Sequence, residues 1–317
     1  MNSEPLNRSN WMSGIDNNTS IAQMSIPGTH ESCALHGGGP TQCQWHSITE
    51  LLRRGIRFLD IRCGHAAGTL GSKEFPIYHS GIYQETNFPD VQQECTSFLD
   101  RHPSETILMN VQHEGIPNLS DHSADSFVET FLQLVDQSHW VFPARVPTLE
   151  DSRGKIVLVR AYDQAAGAGW PGSYRNGNNV TVLPGSGGLE WNGFNIDGLS
   201  SNDVFQTQNG WEKWKSSYDD KVDAIKQHLR MANGDSGPGA DKIWLNFLSQ
   251  AGSAVGTAAQ YINDKIWDFL TNTMTDTTKR LGVLAMDFSG NTDKKSVRLE
   301  DLIIRHNRFI AGYPYPN

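Results

Sequence analysis

Short apolar runs that close on charged or imidazole side chains recur along the 317-residue chain. The first, Ile21 to Ile26, reads as a buried strand. Pro27 and Gly28 should end it, because proline cannot donate to a strand ladder and glycine accepts unusual dihedrals. Thr29 and His30 then stand on the strand's lip. A second run, Phe58 to Arg62, carries Asp60 and Arg62, and a third, Phe75 to His79, closes on a histidine. Three successive strand ends therefore offer His30, Asp60 with Arg62, and His79, where an α/β scaffold holds side chains rigidly yet open to solvent.

Between these runs the period becomes helical. Ser47 to Arg54 has a capping serine, Glu50 three residues on, an apolar stripe of Ile48, Leu51 and Leu52, and Gly55 as a stop. Asp90 to Arg101 and Ala124 to Val135 are further helices; Thr106 to Gln112 and Lys155 to Arg160 are strands. Residues Gly167 to Asn202, rich in Gly, Asn and Ser, have no period and suit a long functional loop. Helices are expected again at Tyr218 to Met231, Tyr261 to Leu270 and Lys295 to Arg305. Strands are expected at Lys242 to Phe247 and Leu281 to Phe288, with a small-residue loop from Ser249 to Ala258. Trp11 and Met12 should anchor an otherwise polar N-terminal segment. Strands alternating with helices predict a mostly parallel sheet with right-handed crossovers. The count fits an eight-stranded, irregular α/β barrel, one domain over residues 1–317, better than an open sheet.

Composition narrows the partners. A net charge of −9 without a run of five like charges speaks against nucleic acid and against strong adhesion to an anionic membrane. No apolar stretch is long enough to span a bilayer, and Met1 to Asn10 has no signal-peptide core. The chain is expected to be soluble, cytoplasmic or secreted, and monomeric. Cys33, Cys43, Cys63 and Cys95 form no Cys-x-x-Cys pair, so zinc is not expected, while one or two disulfide bridges stay open; Cys33 and Cys63, close after the site residues, read as buried structural thiols.

Two histidines, an arginine and several carboxylates at one barrel mouth suit phosphate-ester chemistry. One imidazole can take a proton from an attacking hydroxyl while the other gives one to the leaving oxygen. An arginine can hold the phosphate with two parallel hydrogen bonds and offset its developing charge.

The motifs Met24-Ser25-Ile26-Pro27-Gly28-Thr29-His30, Gly55-Ile56-Arg57-Phe58-Leu59-Asp60-Ile61-Arg62 and Tyr78-His79-Ser80-Gly81 occur in that order. Pro103-Ser104-Glu105-Thr106-Ile107, Arg153-Gly154-Lys155-Ile156-Val157 and Ser217-Tyr218-Asp219-Asp220-Lys221-Val222 follow, and the chain's last apolar strand ends at Asp287. In this the chain resembles the bacterial-type phosphatidylinositol-specific phospholipases C and their fungal relatives, the X-domain superfamily, from Trp11 to about Phe309. The resemblance implies an irregular TIM-type (β/α)8 barrel that cleaves phosphatidylinositol, or a glycan anchor, to diacylglycerol and inositol 1,2-cyclic phosphate. It implies His30 as general base oriented by Asp287, His79 as general acid, Arg62 and Asp60 at the phosphate, and Arg160 on inositol hydroxyls.

Three departures from the family pattern stand out. Glu31 replaces an aspartate after the first histidine. Gln112 stands where metal-free members carry lysine and calcium-dependent members glutamate. Gln208, Asn209 and Trp211 fall where inositol-contacting Asp and Tyr are expected. Arg62 separates the branches, since calcium-dependent members have an acid there, so no metal and no cofactor are expected. The partner implied is an inositol lipid at a membrane surface. Trp45, between the glycine-rich loop and the first helix, is either a lipid-facing rim residue or core. Two alternatives stay open. One is a metal-dependent barrel phosphodiesterase acting on glycerophosphodiesters or sphingomyelin. The other is an inactive module that only binds inositol lipids.

Overall fold

The computed structural model describes residues 6–66, 74–120, 124–142, 146–160, 217–234, 243–250, 254–275, 279–290 and 298–307. Their strands are β1 (Ser25–Thr29), β2 (Phe58–Gly64), β3 (Pro76–His79), β4 (Ile82–Asn87), β5 (Ile107–Glu114), β6 (Trp140–Val141), β7 (Ile156–Arg160), β8 (Leu245–Phe247) and β9 (Gly282–Met286). The helices are α1 (Ile48–Arg53), α2 (Phe88–Arg101), α3 (Ala124–Leu134), α4 (Leu149–Ser152), α5 (Tyr218–Gly234), α6 (Val255–Asn272) and α7 (Leu299–Arg305). The sheet runs β6-β7-β5-β2-β1-β9-β8, all neighbours parallel, and β3 and β4 form an antiparallel hairpin on β2. Among the described residues no pairing joins β8 to β6. The expected α/β barrel architecture holds, with helices outside a parallel sheet and the strand ends gathered at one mouth.

Strand parity sorts the side chains into layers. Ile26, Phe58, Leu108, Val157, Val159, Val283 and Ala285 pack together on the inner face with Trp11 and Met12. Their sequence neighbours Leu59, Ile61, Met109, Val111, Ile156 and Leu158 pack outward against α1, α2 and α3, and Leu284 and Met286 pack outward against α5, α6 and α7. Because parity alternates, continuing the inner face past the apolar layer gives Asp60 and Arg62 on β2 and Gln112 on β5. Just beyond β1 and β9 it gives His30 and Asp287.

The N-terminal anchors are as expected: Trp11 is fully buried and donates from Nε1 to the Gly55 carbonyl at 3.0 Å. Met12 N donates to Glu105 Oε1 at 2.9 Å, and Glu105 is itself ion-paired to buried Arg57 at 2.7 Å. The capping box at Ser47 and Glu50 forms as its spacing predicts.

Several boundaries differ from the sequence reading. The run from Ile21 opens as a single 3-10 turn, Ile21–Gln23, and the strand proper is β1, which continues through Pro27 and Gly28. The proline is tolerated because pairing with β2 begins only at Gly28, so its missing N–H falls before that ladder starts. Gly28 is required by contact rather than by a turn: a Cβ there would lie 2.8 Å from Phe58 Cβ. β4, β6 and α4 were not expected; all three are short and lack a clean period. Helix α6 begins at Val255, so it takes in residues read as loop up to Ala258. Gly256 and its small neighbours mask the period there. The expected loop Gly167 to Asn202 lies outside the described residues.

Candidate active site

His30 follows β1 and is held at both ends. Its backbone N–H donates to the Met286 carbonyl at 3.0 Å, and its Nδ1 donates to Asp287 Oδ1 at 2.8 Å. That bond fixes the tautomer and leaves Nε2 as the free basic nitrogen. Gln44, fully buried, reinforces the pair: its Nε2 donates to the carbonyls of His30 (2.8 Å) and Met286 (3.0 Å), and its Oε1 accepts from Ser289 N (3.3 Å). Asn263 on α6 donates to the Asp287 carbonyl at 3.1 Å.

His79 ends β3. Its Nδ1 donates to the Thr41 carbonyl at 2.6 Å, so its Nε2 faces Glu31 Oε1 at 3.6 Å. The two imidazole centroids are 6.5 Å apart at 85°. Burial lowers the His79 pKa to about 4, with His30 and Arg62 adding to the effect.

Arg62 sits among carboxylates. Its guanidinium reaches Glu31 Oε1 at 2.8 Å, Asp60 Oδ2 at 3.0 Å and Glu114 Oε2 at 3.9 Å. Burial pushes Glu31 well above the usual carboxylate range, against the pull of Arg62 and with the repulsion of Glu114 and Asp60. Asp60 is equally buried, yet Arg62, His30 and the hydrogen bond from Asn110 Nδ2 (2.7 Å) hold it below its ordinary value. Neighbouring acids in one pocket are thus driven apart, one toward the neutral form and one toward the anion.

The backbone turns sharply at each exit. His30, His79 and Asp287 are each followed by a non-glycine residue in the left-handed region: Glu31 (φ 43°), Ser80 (φ 49°) and Phe288 (φ 46°).

The structure thus brings together His30, Glu31, Asp60, Arg62, His79 and Asp287. Gln112 is buried and paired in register with Arg62. Arg160 ends β7 in register with Val111; its side chain lies outside the described residues. Gln208, Asn209 and Trp211 also lie outside them. Gln44, the Thr41 carbonyl, Asn110, Asn263 and Glu114 are site-forming groups that the sequence reading missed. Glu114 had a signal, since Asn110, Gln112 and Glu114 alternate along β5.

Residues 21–162 match the family described as "Phosphatidylinositol-specific phospholipase C, X domain". Over that stretch the chain is similar to the X domain. A 1-phosphatidylinositol phosphodiesterase of Listeria monocytogenes is 27% identical over 316 residues, covering 94% of this chain and 85% of the relative. One from Staphylococcus aureus is 26% identical, covering 89% of each. A solved mutant of the S. aureus phosphatidylinositol-specific phospholipase C superposes with a TM-score of 0.74 at 22% identity, over 97% of this chain and all of that one. The L. monocytogenes enzyme does so with a TM-score of 0.70 at 24% identity, over 96% and 100%. The likeness to the X domain and the barrel fold are therefore as the motifs implied. Asp287 lies beyond the matched X domain but inside the stretch shared with the full-length relatives.

Proposed function

We propose that this chain is a phosphatidylinositol-specific phospholipase C that works as one catalytic domain over its 317 residues. The observation that carries the reading is the pair of imidazoles with opposite surroundings, His30 backed by Asp287 and His79 backed by the Thr41 carbonyl and Glu31.

His30 Nε2 takes the proton of the inositol 2-hydroxyl as its oxygen bonds to phosphorus. Arg62 stabilises the charge on the non-bridging oxygens. The bond from phosphorus to the glycerol oxygen breaks, and His79 Nε2 delivers a proton to that oxygen. The products are inositol 1,2-cyclic phosphate and diacylglycerol. Because nucleophile and phosphate belong to one headgroup, positioning supplies much of the barrier reduction. Arg160, Gln112, Asn209 and Trp211 are the proposed headgroup contacts.

His79 is neutral at pH 7 in the free protein, so its proton must come with the substrate. An anionic phosphate beside the ring favours the imidazolium, and Glu31, pushed toward its acid form by burial, is the adjacent carboxyl. Catalysis on this reading needs no metal, because the Arg62 guanidinium occupies the centre of the carboxylate cluster.

Trp45 is 53% exposed and Ile82 42% exposed. Both lie on segments next to the site, Trp45 after Gln44 and Ile82 in register with His79. They suit insertion into the lipid interface during a transient, peripheral encounter.

The test is ³¹P NMR of phosphatidylinositol vesicles with protein in excess EGTA. The expected result is the cyclic phosphodiester signal. Turnover that vanishes in EGTA and returns with Ca²⁺ would move the chain to the metal-dependent reading, and no turnover under either condition would leave a lipid-binding module.

A further inference from the structure

Cys43 has no part in the reaction just described, yet it is buried against the catalytic dyad. One donor atom from each of His30, Cys43 and Asp287 lies within 4.8 Å of the other two. The thiol also sits 3.8 Å from His79 Nδ1. Spacing along the chain cannot reveal such a set, because the three residues come from the exit of β1, the loop before α1 and the exit of β9.

We propose that His30, Cys43 and Asp287 form a site for a thiophilic divalent cation such as Zn²⁺ or Cd²⁺, whose binding switches the active site off. The switching part rests on the proposed role of His30 as base. One imidazole, one thiolate and one carboxylate are the ligand types zinc selects, and three protein ligands with one open position is a usual zinc arrangement. Metal–donor lengths of about 2.0 to 2.3 Å require side-chain movements of under about 1 Å to close the set. The backbone beneath is pinned by Gln44 on His30 and by the Cys43 carbonyl, which accepts from Phe288 N at 2.7 Å. The edge of His30 that remains exposed provides the way in.

On binding, metal bonds form to the Cys43 sulfur, a His30 ring nitrogen and an Asp287 oxygen, and the thiol proton leaves to solvent. Coordination through either nitrogen disables the base. Nε2 would be occupied directly, whereas metal at Nδ1 moves the ring proton to Nε2. Hard cations such as Ca²⁺ and Mg²⁺, which favour all-oxygen shells, should not compete for this set.

The test titrates purified full-length protein with Cd²⁺, without substrate, and follows the ultraviolet thiolate-to-cadmium charge-transfer band. Wild type should develop the band with release of one proton and lose it on adding EDTA, whereas Cys43→Ser should show none. Loss of an outer-shell partner typically weakens metal binding about 10- to 100-fold, so loss of this ligand should weaken it by at least about 100-fold. Asp287→Asn leaves the thiol in place and should weaken binding too, which keeps the test decisive if the serine variant folds poorly. In the second arm, Zn²⁺ inhibition of phosphatidylinositol cleavage is compared in each protein with and without the cation. An absent band in wild type, or the same band in Cys43→Ser, overturns the site. A band with undiminished turnover overturns the switch while leaving the site. The band needs no turnover, so it stands or falls separately from the assignment of the reaction.

Discussion

His79 Nε2 and Glu31 Oε1 lie 3.6 Å apart with their proton affinities shifted in opposite senses. Burial drives the imidazole toward its neutral form and the carboxyl toward its acid form, so both shifts move a shared proton toward Glu31. Glu31→Gln keeps the shape but removes the titrating proton. We expect kcat on phosphatidylinositol to fall by about 10² to 10⁴, the usual contribution of one positioned acid, with vesicle binding little changed. Glu31→Asp should recover part of the loss. A wild-type kcat in the glutamine variant would remove Glu31 from the proton path.

The dyad of His30 and Asp287 makes a separate prediction. His30→Ala and His79→Ala should each lose most activity while keeping wild-type circular dichroism, since both rings sit at strand exits rather than in the apolar layers. Asp287→Asn should also cut kcat by about 10² or more, because an amide can donate to Nδ1 and so turn the ring to the wrong tautomer. Near-normal turnover in any of the three would undo the assignment.

Stability should carry the signature of His79. Its native pKa of about 4 lies below the ordinary 6.5. The unfolded chain therefore binds this proton first, and the stabilisation present above pH 6.5 is lost as pH falls toward 4, by up to about 3 kcal/mol. Glu31, shifted upward, acts with the opposite sign. Urea midpoints of wild type and His79→Gln between pH 7 and pH 4 should therefore diverge, with wild type losing more. Parallel curves would mean the ring is freely protonated in the native state.

Trp45 was left open by the sequence, rim or core. It is exposed, and its ring rests 4.8 Å from that of Phe288. Trp45→Ala should weaken sedimentation with phosphatidylinositol vesicles more than it slows cleavage of a soluble short-chain substrate, with a melting temperature near wild type. Equal loss on both substrates would tie Trp45 to the chemistry through Phe288 instead.

How much was legible follows from what each residue depends on. Asp60, Arg62 and His79 could be read because a strand's period sets their position, and His30 and Asp287 because they stand where such strands end. Family motifs then supplied their roles. Gln44 and the Thr41 carbonyl could not be read, because they lie in a loop without period and act through backbone contacts made only after β1, β3 and β9 have come together. Cys43 drew no functional reading from the sequence, because its closeness to His30 and Asp287 is tertiary. Pro27 misled for a related reason: it is in register with Leu284 of β9, but its carbonyl accepts from Arg57 N, so its missing N–H would face the β2 side, where pairing starts only at Gly28.

The left-handed residues that follow His30, His79 and Asp287 bear on how the molecule fails. Such conformations cost on the order of 1 to 3 kcal/mol for residues with a Cβ and last only while their surroundings enforce them. Glu31, Ser80 and Phe288 place three of them at one mouth, while β1, β2, β5, β7 and β9 pair as regular parallel ladder. As denaturant rises, these corners should relax before the ladder does, by local opening rather than global unfolding. Turnover should then disappear at a lower urea concentration than the far-ultraviolet signal, and amide exchange at residues 31, 80 and 288 should run ahead of that along β1 and β9.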